Sequence, residues 1–305
     1  MIKSFKEAEC YILDNKIIKK IALCGAHDEP ALESVLHAKR KGIAEAVLIG
    51  DEEKIIDILK QKGENPGEFE IIHEVDEDIA ARMSVSLVKE GKADIPMKGL
   101  LQSSSYLKAI LNKETGILPK GKLLGECTVF EFQEQDRLMF ITDCAMNIAP
   151  TLEEKVHLIE NAVELAEAFL FDKVKVAAVT ALEKVNPKMD STVDADRLAH
   201  MEWADKVMVD GPFALDNAVS LEAAKHKGIE SPVAGCADVL LMPSLDAGNM
   251  LHKSLHFFAH AQTAGALCGT EYPVVFTSRT DSFQTKYNSI LTACMQSINL
   301  QNPTE

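Results

Sequence analysis

The residues able to do chemistry in this chain gather where apolar runs end. The run Pro273–Phe276 gives way to Thr277, Ser278, Arg279, Thr280, Asp281 and Ser282. An amphipathic helical pattern follows, with Phe283, Tyr287, Ile290, Cys294 and Ile298 on one face. A hydroxyl, a guanidinium and a carboxylate at a helix start suit an anion. Unpaired backbone N–H groups of a first helical turn favour phosphate, Arg279 can grip two phosphate oxygens, and Ser278 can donate a third bond. The competing reading of Arg279 is a salt bridge within the protein, to Asp281 or Asp246. Local sequence leaves both open.

Five other apolar runs end in the same manner. "ADIPM" leads to Lys98-Gly99 and then Ser103, and "RLMFIT" to Asp143 and Asn147. "VKVAAVT" leads to Lys188, "KVMV" to Asp210-Gly211-Pro212, and "DVLLMP" to Ser244, Gly248, Asn249 and Lys253. The runs are short and nearly continuous in apolar residues, as in strands covered on both faces, and they alternate with helical stretches. One of those helices opens on a capping box, Thr151 to Glu154. The alternation predicts an α/β fold with mainly parallel sheets. Ligands of such sheets bind beyond the carboxyl ends of the strands, so these residues are expected to line one cleft for an anionic, multi-atom ligand. The segment from Leu100 to Gln133 breaks the alternation and predicts a helical excursion followed by an antiparallel strand pair.

Composition removes several function classes. The 305 residues carry a formal net charge of −15, from 32 Lys plus Arg against 47 Asp plus Glu. This makes a poor general binder of nucleic acid or anionic membrane. Seven scattered cysteines without a CxxC pair read as reduced thiols of a cytoplasmic protein. The N-terminus lacks a signal-peptide pattern, and no apolar run is long enough to span a bilayer. There is no P-loop, no GxGxxG after a strand and no GxSxG elbow. His252, His256 and His260 repeat every fourth residue without a carboxylate beside them, which reads as a helix face rather than a metal site. Cys144, at a strand end, reads as a small buried hydrophobe rather than a nucleophile.

Five stretches, "MKGLLQSSSYLKAILNKETGI", "LMFITDCAMNIAP", "EKVNPKMDSTVDA", "DGPFALDNAVSLEAAKHKGIESPVAGCADVLLMPSLDAGNMLHKSL" and "FTSRTDS", resemble the phosphate acetyl/butyryltransferase family, most closely its butyryl branch. The resemblance runs from about Ala93 to Ser297. It implies two α/β domains flanking a cleft, as in isocitrate and isopropylmalate dehydrogenases, with domain I at 1–145 plus 285–305 and domain II at 146–284. It also implies a homodimer, coenzyme A as a substrate, no permanently bound cofactor or metal, and the reaction acyl-CoA + phosphate ⇌ acyl phosphate + CoA by direct thiol attack in a ternary complex. Ser278 and Arg279 match the family's Ser-Arg pair: Arg279 is implied to bind phosphate and stabilise transition-state charge, Ser278 to hydrogen-bond the reacting groups. Lys98 and Lys188 are the further anion contacts chosen, with Ser103, Asp143, Asn147, Asp210, Pro212, Asn249 and Lys253 as substrate contacts. One departure matters. The acetyl branch carries an aspartate seven residues after the serine, proposed as the thiol's base, and here that position is Thr285. Asp281, Asp143, or water or phosphate itself stand as alternatives. An acetyl-specific enzyme and a non-catalytic acyl-CoA-sensing domain are the competing functions.

Overall fold

The structure, a computed structural model, describes residues 1–132 and 136–301. Residues 133–135 and the last four residues fall outside the described residues. The elements begin with α1 (Phe5–Asp14), β1 (Lys19–Cys24), α2 (Glu29–Arg40), β2 (Ala44–Gly50), α3 (Glu52–Gln61), β3 (Glu70–His73), α4 (Glu77–Lys89), β4 (Ile95–Lys98) and α5 (Ser103–Ile110). Next come β5 (Gly125–Glu131), β6 (Leu138–Thr142), α6 (Leu152–Ala168), β7 (Val174–Val179), α7 (Asp190–Ala199), β8 (Val207–Phe213), α8 (Leu215–Val219) and α9 (Leu221–His226). The last are β9 (Val239–Leu241), α10 (Leu245–Phe257), β10 (Gln262–Cys268) and α11 (Phe283–Gln301).

The chain packs as two compact units, one of Phe5–Lys122 with Ala264–Glu305, the other of Met1–Ser4 with Leu123–Thr263. These bounds differ from the expected breaks at 145/146 and 284/285. Among the described residues, the segment from Leu100 to Gln133 holds α5 and one strand, β5, rather than a strand pair. The antiparallel partner of β5 is β6, which lies beyond that segment and also pairs in parallel with β9. The loop holding Met146–Pro150 therefore lies inside a unit. Val275 bridges Met97, which places the 273–282 corner with the N-terminal part of the chain.

In the unit holding the N-terminal strands, the sheet is fully parallel in the order β3-β2-β1-β4. The expected strand at Pro273–Phe276 shrinks to single bridges, Val274 to Leu267 and Val275 to Met97. Two backbone bonds still dock it along β4: Lys98 N–H to the Val275 carbonyl and Val275 N–H to the Pro96 carbonyl, both 3.1 Å. Helix α11 is buried around its circumference rather than on one apolar face. Thr285, Lys286, Asn288, Ser289, Thr292, Gln296 and Ser297 are all buried. Ser289 shows how such a group is satisfied: its Oγ donates to the Thr285 carbonyl (2.9 Å) and accepts from Gly265 N–H (3.1 Å).

Glu9 ties α1 into this unit, accepting from Lys6 (2.6 Å), Lys41 (2.9 Å) and the Tyr287 hydroxyl (2.7 Å). Burial works to raise its pKa, but the bonds from Lys6, Lys41 and Tyr287 prevail and lower it from 4.5 to about 2. A carboxyl depressed by folding stabilises fully above its unfolded pKa and loses that contribution as the pH falls toward the folded value. Glu9→Gln is therefore expected to lower Tm at pH 7, with the deficit shrinking between about pH 4.5 and 2. Melts across that range check this, and a deficit independent of pH would refute it.

The other unit is built on a sheet in the order β10-β5-β6-β9-β7-β8, with β10 carrying the chain across the unit boundary. Strands β6, β9, β7 and β8 are parallel neighbours. The capping box forms as predicted: Glu154 N–H donates to Thr151 Oγ1 (3.3 Å) and Thr151 N–H to Glu154 Oε2 (2.7 Å). Among the described residues, no helix is long and apolar enough to cross a membrane.

Candidate functional site

Lys98 closes β4 opposite Cys24 of β1. Just beyond them the two strand ends touch: Gly99 N–H donates to the Cys24 carbonyl (2.8 Å) and Leu100 N–H to the Gly25 carbonyl (2.9 Å). Gly25 has φ +67°, and a Cβ there would lie 2.8 Å from the Leu100 backbone. A Cβ on Gly99 would overlap the Gly25 carbonyl oxygen. The glycines of "CGA" and "MKG" are required by this approach. From there the chain runs to Asp28, the buried N-cap residue of α2.

Two buried ammonium groups lie under the corner that follows Phe276. Lys98, 1% exposed, faces the carbonyls of Gly99 (3.4 Å) and Thr277 (3.5 Å). Lys286, in the first turn of α11 and also 1% exposed, donates to the Ser278 carbonyl (2.9 Å) and to Thr277 Oγ1 (3.3 Å). Its Nζ is 3.9 Å from Asp28 Oδ2, an oxygen without a hydrogen-bond partner. Ser278, Arg279 and Thr280 are exposed. The corner is closed by Ser278 N–H donating to Asp281 Oδ2 (2.7 Å) and Asp281 N–H to the Ser278 carbonyl (3.2 Å). Arg279 makes no hydrogen bond or ion pair among the described residues, so the salt-bridge reading is not realised.

Three cations, Lys98, Lys286 and Arg279, thus stand against two carboxylates, Asp28 and Asp281. Burial pushes the Lys98 ammonium below its ordinary pKa, and Lys286 and Arg279 push it further. Burial likewise lowers Lys286, while Asp28 and Asp281 act to hold it up. Uncompensated buried positive charge is costly, and an anion relieves it. Lys286 escaped the sequence reading. Its one local signal is a cation in a first helical turn, where the helix dipole disfavours it. Thr285, at the position of the acetyl-branch aspartate, is 8% exposed and shares a hydroxyl contact with Ser282 (3.2 Å).

Ser103 opens α5 and is exposed, but carboxylates already meet that helix start. Glu77 accepts from Gln102 N–H (2.7 Å), and bonds from Lys108 and Ser105 hold Asp78 below its ordinary pKa.

The other unit gathers its own set. Asp143, 2% exposed, spends both oxygens on the protein. Oδ1 accepts from Ala145 and Met146 N–H (2.7 and 2.8 Å), and Oδ2 from Glu126 N–H (3.1 Å) and Asn147 Nδ2 (2.7 Å). It organises the loop after β6. Asn147 also donates to the Leu124 carbonyl (3.0 Å), and Asn249 to the Cys144 carbonyl (3.2 Å). Lys253, half-buried on α10, makes no hydrogen bond or ion pair among the described residues. Lys188 is exposed in the loop from β7 to α7. On neighbouring β8, Asp210 Oδ1 accepts from Gly211 N–H (2.7 Å), and Pro212 follows a cis peptide bond. Burial pushes the Cys144 thiol well up, which leaves it a buried hydrophobe as expected. Burial, with Lys253 and His256, lowers His252 to about 4, and its Nδ1 lies 3.1 Å from Thr128 Oγ1. Among the described residues, no group of three His, Cys, Asp or Glu is placed to hold a metal ion.

A sequence profile described as phosphate acetyl/butaryl transferase matches residues 53–294, which spans the Lys98 strand end, the Ser278–Arg279 corner and Lys286. The chain belongs to this family. Among its relatives, a phosphate butyryltransferase of Clostridium acetobutylicum is 45% identical over 97% of this chain and 98% of its own length. A phosphate acetyltransferase of Thermotoga maritima is 42% identical over 89% of this chain and 93% of its own. Among solved family structures, a branched-chain phosphotransacylase from Enterococcus faecalis superposes with a TM-score of 0.82 at 34% identity, covering 92% of this chain and 99% of that one. The α/β fold with mainly parallel sheets is therefore that of the family.

Proposed function

We propose that the chain interconverts a short-chain acyl-CoA plus phosphate with acyl phosphate plus CoA, with butyryl or a similar acyl group. One observation carries the reading: a buried excess of positive charge, Lys98 and Lys286, lies directly beneath exposed Ser278 and unpaired Arg279. Such a corner suits phosphate and the negative charge that develops at a reacting carbonyl. The thiolate of CoA attacks the acyl-phosphate carbonyl, a carbon–sulfur bond forms, and phosphate leaves with the bonding pair of the acyl–oxygen bond. Arg279 binds the phosphoryl oxygens and Ser278 hydrogen-bonds the reacting groups. Lys98 acts from below, as charge and as an anchor for Thr277. Asp281, whose second oxygen makes no hydrogen bond among the described residues, is the proton acceptor. Coenzyme A is a substrate, not a resident group. Asn147, Lys188, Asp210, Pro212, Asn249 and Lys253 are the remaining substrate contacts, while Asp143 shapes the loop that carries Asn147.

The butyryl assignment rests on the Clostridium acetobutylicum relative and on Thr285 standing in place of the acetyl-branch aspartate. The Thermotoga maritima relative keeps acetyl transfer as the second reading, and one methylene discriminates by only about 1–3 kcal/mol. The test is thiol release from acyl-CoAs of increasing chain length in the presence of phosphate, with release expected to be fastest near butyryl. Acyl-CoA binding without release from any of them would replace the enzyme with a sensing domain. We further propose a homodimer that covers Met250, Phe257 and Phe258, which are 69%, 63% and 85% exposed on α10 and just beyond it. Light scattering should give the mass of two chains, and a single-chain mass at micromolar concentration would reject the dimer.

A further inference from the structure

Lys286 breaks two local rules at once, since it lies at the positive end of a helix and it is buried. Both departures cost stability, and such places are where function is expected. Its ammonium points into the protein on every side the structure shows: the Ser278 carbonyl, Thr277 Oγ1 and Asp28 Oδ2. It is not placed to touch a ligand. It holds the main chain, and the Ser278 carbonyl takes a second bond from Asp281 N–H (3.2 Å). The Ser278–Arg279 peptide is trans, so a carbonyl drawn inward turns the Arg279 backbone N–H outward. That N–H makes no hydrogen bond among the described residues.

We propose that buried Asp28 and Lys286 form a positioning pair. The pair pulls the Ser278 carbonyl inward, so that the Arg279 N–H joins the Ser278 hydroxyl and the Arg279 guanidinium as a third donor to a phosphoryl oxygen. This rests on the acyl phosphate reading above, and it names how the corner is preset for its anion. Asp28 is the counter-charge that holds Lys286 protonated. The other charged or titratable groups around the pair are His27 beside Asp28, Lys98 on β4, Cys24 on β1, and Arg279 and Asp281 on the corner.

The test uses the full chain and inorganic phosphate, with affinity read by calorimetry and folding by circular dichroism. Lys286→Met is expected to weaken phosphate binding about tenfold or more, the scale of losing one charge-assisted hydrogen bond. Lys286→Arg should restore part of it, because a cation able to reach the carbonyl remains. Asp28→Asn should shift the alkaline loss of phosphate affinity to lower pH, since Asp28 holds Lys286 charged. A folded Lys286→Met with wild-type affinity, or a folded Asp28→Asn with an unmoved profile, overturns the pair. If neither variant folds, the wild-type and Lys98→Met profiles, both followed upward from about pH 7, decide. An alkaline fall in affinity that persists without Lys98 supports the pair, since Lys286 is then the buried lysine left to discharge, and a flat Lys98→Met profile overturns the proposal. Failure of the acyl transfer reading looks different: no thiol release by the wild type, while Lys286→Met still weakens phosphate binding.

Discussion

Arg279→Ala lowers turnover in the thiol-release assay at least about a hundredfold, the scale of removing one oxyanion-type donor. The fold should survive the change, because the side chain is exposed and makes no hydrogen bond or ion pair among the described residues. Its charge acts on Lys98 below it, so its removal also lets the Lys98 pKa rise. Arg279→Lys keeps that charge but loses the planar fork that grips two oxygens, and is expected to recover only part of the rate. Steady-state kinetics with varied phosphate check both variants. Near-normal turnover of Arg279→Ala would remove this residue from the mechanism.

Gly99→Ala is expected to cost about 1–3 kcal/mol of stability by overpacking, and to weaken phosphate binding as well. The added methyl meets the Gly25 carbonyl and lies 2.9 Å from the Cys24 carbonyl, both main-chain atoms at the end of β1. Neither can rotate aside, so β4 must move. Lys98 moves with it, and Lys98 faces the Thr277 carbonyl under the phosphate corner. Gly67→Ala serves as the control, since its nearest neighbour would be an ordinary 3.4 Å contact. Urea midpoints and phosphate titrations of the two variants should separate clearly. Equal midpoints would mean that the β1–β4 approach relaxes at no cost.

Much of the architecture was legible because it rests on nearest-neighbour chemistry. The short apolar runs became strands, the Thr151–Glu154 box capped α6, and the segment after Leu100 contained a helix and one strand, β5, whose antiparallel partner β6 lies beyond it. The run at Pro273 forms less of a strand than its apolar character suggests. Apolar character alone marks a buried extended segment, and only the pairing partners show that two of its residues bridge. The same limit applies to α11, whose apparent apolar face is one part of a helix buried all round.

Neighbouring residues alone place Ser278, Arg279 and Asp281 together at a corner before a helix, and the motifs alone carry the resemblance to phosphate acyltransferases. They do not tell whether Arg279 is paired, whether Lys98 is exposed or buried, or that Lys286 and Asp28 take part. Those outcomes depend on residues far apart in the chain. Parallel pairing of β1 with β4 brings Cys24 beside Lys98, and docking of Val275 on Met97 brings the Thr277 carbonyl to the Lys98 ammonium. Helix α11 then sets Lys286 against Asp28. Periods and caps are written over a few neighbouring residues, whereas the balance of buried charge is settled only when the sheet register brings distant side chains into contact.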